Sequence, residues 1–267
     1  MQNTKLKIVA VIQARMGSTR LSKKAIKKIL GKTLIEWVRY RLQFSQMVDQ
    51  IVLSTADTAE NDVLAEHAEK IGLEYYRGSE SDLISRLLET AKKFSADAII
   101  RITGDCPLVD PKMVDGLVKK YLEDPENIDY VCNILPPTYP DGMDIEIISP
   151  AALKKLDKEV KNKLYREWLT TTIMENPDKY RILNVPYERN ISDLRLTVDY
   201  PEDFELAEKI FKNLHEEGKI FFMEDILQLF KKEPSLIGIN KNRIDQGIIN
   251  NIRSAEFHNL KKNNNLI

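Results

Sequence analysis

Seven basic residues and no acidic one fall between positions 15 and 32: Arg15, Arg20, Lys23, Lys24, Lys27, Lys28 and Lys32. Gly17, Ser18 and Thr19 lie among them. Small residues let backbone N–H groups close on an anion, arginines grip phosphate oxygens in a fork, and lysine adds a compact charge. The segment therefore suits a polyphosphate. It holds neither G-x-x-x-x-G-K-[ST] nor G-x-G-x-x-G, so it is neither of those glycine-rich phosphate loops. Arg15, Arg20 and Lys24 are the candidate ligand contacts, whereas Lys27, Lys28 and Lys32 read as a solvated face.

A second constellation is acidic. Thr103-Gly104-Asp105-Cys106-Pro107 and Leu196-Thr197-Val198-Asp199-Tyr200-Pro201 each place an aspartate just past an apolar run and before a proline. Mg²⁺ is typically held by one or two carboxylates together with phosphate oxygens and water. On neighbouring strand ends, Asp105 and Asp199 would form a two-carboxylate metal site facing the basic segment. The plainer alternatives are a turn residue for Asp105 and a helix N-cap for Asp199. His67, His215 and His258 stand outside both groups, and no Ser-His-Asp or Cys-His arrangement is suggested. Cys106 reads as a small buried residue, and two cysteines make no disulfide framework.

These residues need elements to hold them. Lys7–Gln13 is a continuous apolar run suited to a buried parallel strand. A helix follows over Thr33–Phe44, with Thr33 and Glu36 spaced as a capping box. Strands over Gln50–Ser54, Leu73–Tyr76 and Ala98–Ile102 alternate with helices over Glu60–Ile71, Asp82–Phe94 and Lys112–Leu122, the last begun by Pro111. Strict alternation implies a mostly parallel sheet covered on both faces, with ligands at the carboxyl ends of its strands. Beyond about residue 125 the pattern predicts strands over Asp129–Asn133, Asp144–Ile148, Tyr180–Val185 and Leu194–Val198. It predicts helices over Tyr165–Glu175, Pro201–Leu214 and Met223–Phe230.

The 267 residues are 43% apolar and 30% charged, which excludes a disordered or collagen-like chain. Forty basic against 41 acidic residues, a formal charge of −1, argue against a nucleic-acid binder. Apolar runs fall far short of the ~20 residues of a membrane span, and the N-terminus carries no leader pattern. The expectation is a soluble cytoplasmic protein with no nucleic-acid or membrane partner.

VIQARMGSTRLSKKAIKKILGKTLIEWV, YYRGSESDLISRLLETAKK, IIRITGDCPLVDP, TYPDGMDIEIIS and LTVDYPEDFELAEKI occur in this order. Together they resemble the spore coat polysaccharide biosynthesis protein F family, among the cytidylyltransferases typified by CMP-Kdo and CMP-sialic acid synthetases. The resemblance spans about residues 6–235. It implies a Rossmann-like nucleotidyltransferase α/β fold, a mostly parallel mixed sheet in a three-layer α/β/α arrangement. That domain would occupy residues 1–238, with a polar C-terminal tail over 239–267. It also implies an Mg²⁺ enzyme joining CTP and a sugar acid into a CMP-sugar and pyrophosphate, in surface glycan biosynthesis.

Residue by residue, the family's A-R-x-x-S-x-R-L-P-x-K is matched by Ala14, Arg15, Ser18, Arg20, Leu21 and Lys24, assigned to base and triphosphate. R-x-T-x-D-x-P is matched by Arg101, Thr103, Asp105 and Pro107, with Gly104 among them, and D-x-P-E-D by Asp199, Pro201, Glu202 and Asp203. Asp105 and Asp199 would be the metal ligands. Arg77-Gly78-Ser79, with Asp82, would approach the nucleotide. Asp141, Asp144 and Glu146 are candidates for sugar hydroxyls, and Arg166 for an acceptor carboxylate. Arg15, Lys24 and Asp105 would do the catalytic work. Two segments depart from the family: Ser22 and Lys23 replace the proline and glycine of L-P-G-K, and Trp168 and Thr171 replace the histidine and proline of R-E-H-V-T-P. Related enzymes are often dimers, so a homodimer is expected, with the tail as a contact. The rival readings are a nucleotidyltransferase using another NTP with a phosphorylated sugar or small alcohol, and a nucleotide-binding scaffold without turnover.

Overall fold

The computed structural model describes residues 5–243. The first half alternates as its apolar pattern requires. β1 (Ile8–Gln13) leads through the basic segment to a two-residue hairpin, β2 (Lys28–Ile29) and β3 (Lys32–Thr33), and then to α1 (Leu34–Leu42). β4 (Gln50–Ala56), α2 (Asp62–Lys70), β5 (Glu74–Gly78), α3 (Leu83–Lys93), β6 (Ala98–Thr103) and α4 (Pro111–Leu122) follow. The α1 capping box is formed as spaced: Glu36 N–H donates to Thr33 Oγ1 at 3.2 Å, and Thr33 N–H donates to Glu36 Oε2 at 2.7 Å.

The second half has short strands: β7 (Tyr130–Cys132), β8 (Glu146–Ile148) and β9 (Ile182–Asn184). Its helices are α5 (Pro150–Glu159), α6 (Lys163–Glu167), α7 (Leu169–Met174), α8 (Pro201–Leu214) and α9 (Met223–Lys232). The seven-stranded sheet has the order β5-β4-β1-β6-β8-β7-β9. Its pairs are parallel except those of β8, which runs antiparallel to both neighbours. This is the mostly parallel mixed sheet, covered on both faces, that the sequence implies.

Successive residues of β1 serve opposite faces. Ile8, Ala10 and Ile12 pack with α1, α2 and α4, while Val9 and Val11 pack with α3, α5 and α7. A third buried cluster joins α8 and α9 to Trp37, Leu34 and Ile29 near the amino end.

Three expectations are corrected. Leu194–Val198 is not a ladder strand: its bridge is Asp141 to Arg195, and its N–H groups are spent on loop carbonyls, Leu196 and Thr197 on Asp141 O and Val198 on Asp105 O. Tyr165–Glu175 is two short helices, because Trp168 at φ −105°, ψ 57° interrupts the helical path. Pro150–Glu159 is a helix the pattern reading passed over. Its signal was Ser149-Pro150, with Ser149 Oγ accepting from Ala152 N–H at 3.0 Å and proline at the first turn. Asn240, within the expected tail, is buried and donates to Arg195 O at 3.0 Å and to Asp203 Oδ1 at 2.9 Å. Residues 244–267 of that tail lie outside the described residues.

Candidate active site

The basic segment leaves β1 at its carboxyl end, beside the carboxyl end of β6, with Gln13 in register with Thr103. Gly104 makes the junction possible. Its N–H donates to Gln13 O at 2.8 Å, and a Cβ there would lie 2.8 Å from the Cβ of Ala14. Between the two strand ends lies an open cleft of about 250 Å³. Ala14, Arg15, Gly17, Ser18, Thr19, Arg20, Lys24, Thr103, Gly104 and Asp105 line it. Ten sequence-derived candidates therefore share one cavity.

Lys24 is the pivot. Its Nζ donates to Asp105 Oδ2 at 2.5 Å and to Asp199 Oδ1 at 2.7 Å. Asp199 is not an N-cap: Tyr200 holds that position, and the N–H groups of Asp199 and Tyr200 donate to Asp203 Oδ2. The Asp199 carboxylate instead accepts from Arg20 Nη2 at 2.9 Å and from Arg195 Nη2 at 3.1 Å. Asp105 is pulled two ways. Burial raises its pKa, but the Lys24 charge and hydrogen bond, with help from Thr103, bring it down to about 2. The two carboxylates thus converge on one cation.

Arg195 was not anticipated. Only 2% of its side chain is exposed, and it donates to Asp141, Asp199 and Asp203 together. The signal was a charged residue inside the apolar run Leu194–Val198, read as strand alternation. Gly142 closes this region at φ +96°, where a Cβ would collide with the backbone of Leu196 and Thr197.

The expected acceptor wall is acidic. Asp141 is pushed up to about 6, by burial first, against Arg195 and with Asp199, Asp105 and Asp203 adding to the rise. Asp144 is raised well above the usual carboxylate range by burial and by Asp141, Glu146 and Asp105. Glu146 is spent internally: it accepts from Arg101, from Tyr130 OH at 2.7 Å and from Thr170 Oγ1 at 2.6 Å. Arg101 also donates through Nε to Gln13 Oε1 at 2.6 Å, so it is tied to protein groups and is not among the residues lining the cleft.

Four other candidates are held elsewhere. Arg77 pairs with Asp57 and Asp62 and donates to Thr58 O. Ser79 Oγ accepts from Asp82 N–H, and Asp82 caps α3 through Ser85 N–H. Arg166 clamps α6: it donates to Asp82 Oδ2 at 2.6 Å, to Asp157 Oδ1 at 2.5 Å and to the carbonyls of Asp157 and Val160. The structure gives Arg77, Ser79, Asp82 and Arg166 internal partners and does not bring them to the cleft. It adds three residues that spacing did not reveal: Gln13, Ala25 and Arg86. Lys23 is exposed and, of the two lysines, Lys24 is the one paired with Asp105 and Asp199, so they do not compete. Cys106 and Cys132 are buried free thiols, and burial, with Asp105 and Asp144, holds the Cys106 thiol protonated.

Residues 9–230 match the cytidylyltransferase family. The chain belongs to that family. It is 28% identical to the spore coat polysaccharide biosynthesis protein SpsF of Bacillus subtilis, over 85% of this chain and 95% of that protein. It is 32% identical to the 3-deoxy-manno-octulosonate cytidylyltransferase of Syntrophotalea carbinolica, over 45% of this chain and 47% of that one. The solved structure of a cytidylyltransferase from Leptospira borgpetersenii superposes with a TM-score of 0.82 at 36% identity, covering 87% of this chain and 97% of that one. This cytidylyltransferase is thus a nucleotidyltransferase enzyme. No helix among the described residues is long and apolar enough to cross a membrane.

Proposed function

We propose that this cytidylyltransferase transfers CMP from CTP to a hydroxyl of a sugar acid, with Mg²⁺, releasing pyrophosphate for surface-glycan assembly. The observation that carries the reading is the Lys24 ammonium seated between Asp105 and Asp199, at the mouth of a basic, glycine- and serine-containing loop. Two carboxylate oxygens converging on one cation fit a divalent ion. The two carboxylates would be the protein's share of its shell. Phosphate and water would complete the shell, the pattern Mg²⁺ favours. When bound there, Mg²⁺ supplies Lewis-acid charge and a template for in-line displacement.

The chain's own residues do the rest. Arg15, half-exposed and only loosely paired with Glu167 at 3.6 Å, is free to take a phosphate. Arg20 and Lys24 gain phosphate oxygens in place of Asp199 and Asp105. Together they neutralise charge building on the α-phosphate and on departing pyrophosphate, and positioning of this kind does most of the work in such transfers. Support for the acceptor class comes from the 3-deoxy-manno-octulosonate cytidylyltransferase relative, since Arg166 is already committed to Asp82 and Asp157. Incubation with CTP, Mg²⁺ and a panel of 2-keto sugar acids should release pyrophosphate. Release with another NTP in place of CTP, or with neutral sugars alone, would replace the donor or the acceptor.

A further inference from the structure

Among the described residues three arginines are buried. Arg41 donates from Nε to Val109 O and from Nη2 to Phe221 O, each at 2.7 Å. Arg195 faces three carboxylates. Arg86 differs from both. It is 3% exposed and lies on α3, two residues beyond the first apolar turn. Its Nη1 donates to Ser79 O at 2.7 Å, and its Nε is buried without a partner. Among the described residues no carboxylate is within ion-pair distance. Burial first, then the like charges of Arg15 and Arg101, lower its pKa to about 10, against the weaker opposing pull of Glu80 and Glu167. Arg101 is neutralised by Glu146; Arg86 is not.

The same side chain lines the cleft beside Gln13, Ala14 and Arg15. A buried cation with a donor unspent and no carboxylate paired to it is unfavourable unless something else fills the site. A guanidinium only donates, so what fills it must present acceptors. We propose that Arg86 is a nucleotide-binding residue, donating to an acceptor oxygen of the bound nucleotide: a phosphate oxygen or the carbonyl of the base. This rests on the nucleotide cleft proposed above.

The test uses the full chain with Arg86→Met and Arg86→Lys, reading thermal midpoints and titration calorimetry with CTP, cytidine and inorganic tripolyphosphate. Arg86→Met removes an uncompensated charge while keeping the stem, so its ligand-free midpoint should hold or rise. Its CTP affinity should fall by about 10- to 100-fold, the range of a hydrogen bond to a charged group. A matching loss for tripolyphosphate identifies a phosphate oxygen as the source, and a matching loss for cytidine the base carbonyl. Arg86→Lys should recover affinity in part if phosphate is the partner, and it also serves should the methionine variant not fold. Wild-type CTP affinity in a folded variant overturns the inference, above all if the ligand-free midpoint falls, which marks a structural role. Absence of any nucleotide binding by the wild-type chain would instead remove the proposed function itself, and this inference with it.

Discussion

Lys24 cannot hold Asp105 and Asp199 and also leave them to a metal. At 2.5 and 2.7 Å its ammonium occupies the point where their oxygens converge. Under the proposed function, a bound nucleotide phosphate would offer it another anion and free the pair. Lys24→Met is therefore expected to raise Mn²⁺ affinity measured without nucleotide by electron paramagnetic resonance, while pyrophosphate release drops at least ~100-fold. Unchanged Mn²⁺ binding would show that the bridge is no obstacle. A pH effect resides at Asp141, facing Arg195 with Asp199, Asp105 and Asp203 nearby. Its folded pKa of about 6 exceeds the unfolded value near ~3.9, so the folded state binds the extra proton. Its contribution to stability is present below pH ~4 and is lost as pH rises to about 6. Urea midpoints of wild type and Asp141→Asn should diverge across that window and run parallel above it. Much of the site was legible because phosphate and metal chemistry need particular residue types at strand ends: Arg15, Arg20, Lys24, Asp105 and Asp199 could be named before their contacts were known. Arg195 and Arg86 were not, because a buried cation looks in sequence like a solvated one, and only packing shows where its donors go.

At the scale of elements, the loop after β1 shows what a departure from the family pattern costs. Lys23 stands where the pattern has glycine, and its backbone keeps the conformation a glycine would take, φ 53°, ψ 31°. A side chain in the left-handed region costs about 1–2 kcal/mol, against about 0.5–1 kcal/mol for the extra freedom glycine loses on folding. Lys23 is exposed and is absent from every ion pair among the described residues, so the backbone balance decides. Lys23→Gly is expected to stabilise the chain by about 0.5–1 kcal/mol in denaturant unfolding; a loss of stability would mean the side chain has a role its surroundings do not show. The first half of the fold was legible because strands and helices there alternate with unbroken apolar periods. The second half was less so. Arg166 ties α6 to Asp82 at the start of α3 and to Asp157 in α5, and the break at Trp168 divides one expected helix in two. Leu194–Val198 has a strand's alternation, but its N–H groups find loop carbonyls instead of a ladder.

Over the whole molecule, the site depends on residues far apart in sequence, since Lys24 meets Asp199 across 175 positions. The segment carrying Asp199 is welded to the sheet rather than hung beside it. Trp37 of α1 stacks on Phe211 of α8 with ring centroids 4.2 Å apart, in a cluster that includes Leu21, Leu108 and Met143 from the site loops. Arg41 ties α1 to Val109 and Phe221, and Met223 N–H donates to Asp110 Oδ2 at 2.6 Å. Separate unfolding of α8 and α9 would strip this cluster and leave the Arg41 guanidinium without one of its two carbonyls. The sequence expectation of one domain through residue 238 then has a physical test. The chain has two tryptophans, so Trp168→Phe leaves Trp37 as the sole indole, reporting on the α8 contact. Its fluorescence and the far-ultraviolet circular dichroism of the sheet and helices should lose their native signals at the same urea concentration, as one cooperative unit requires. An earlier fluorescence midpoint would show the C-terminal helices leaving first, and the Lys24–Asp199 contact would then be lost before the sheet unfolds.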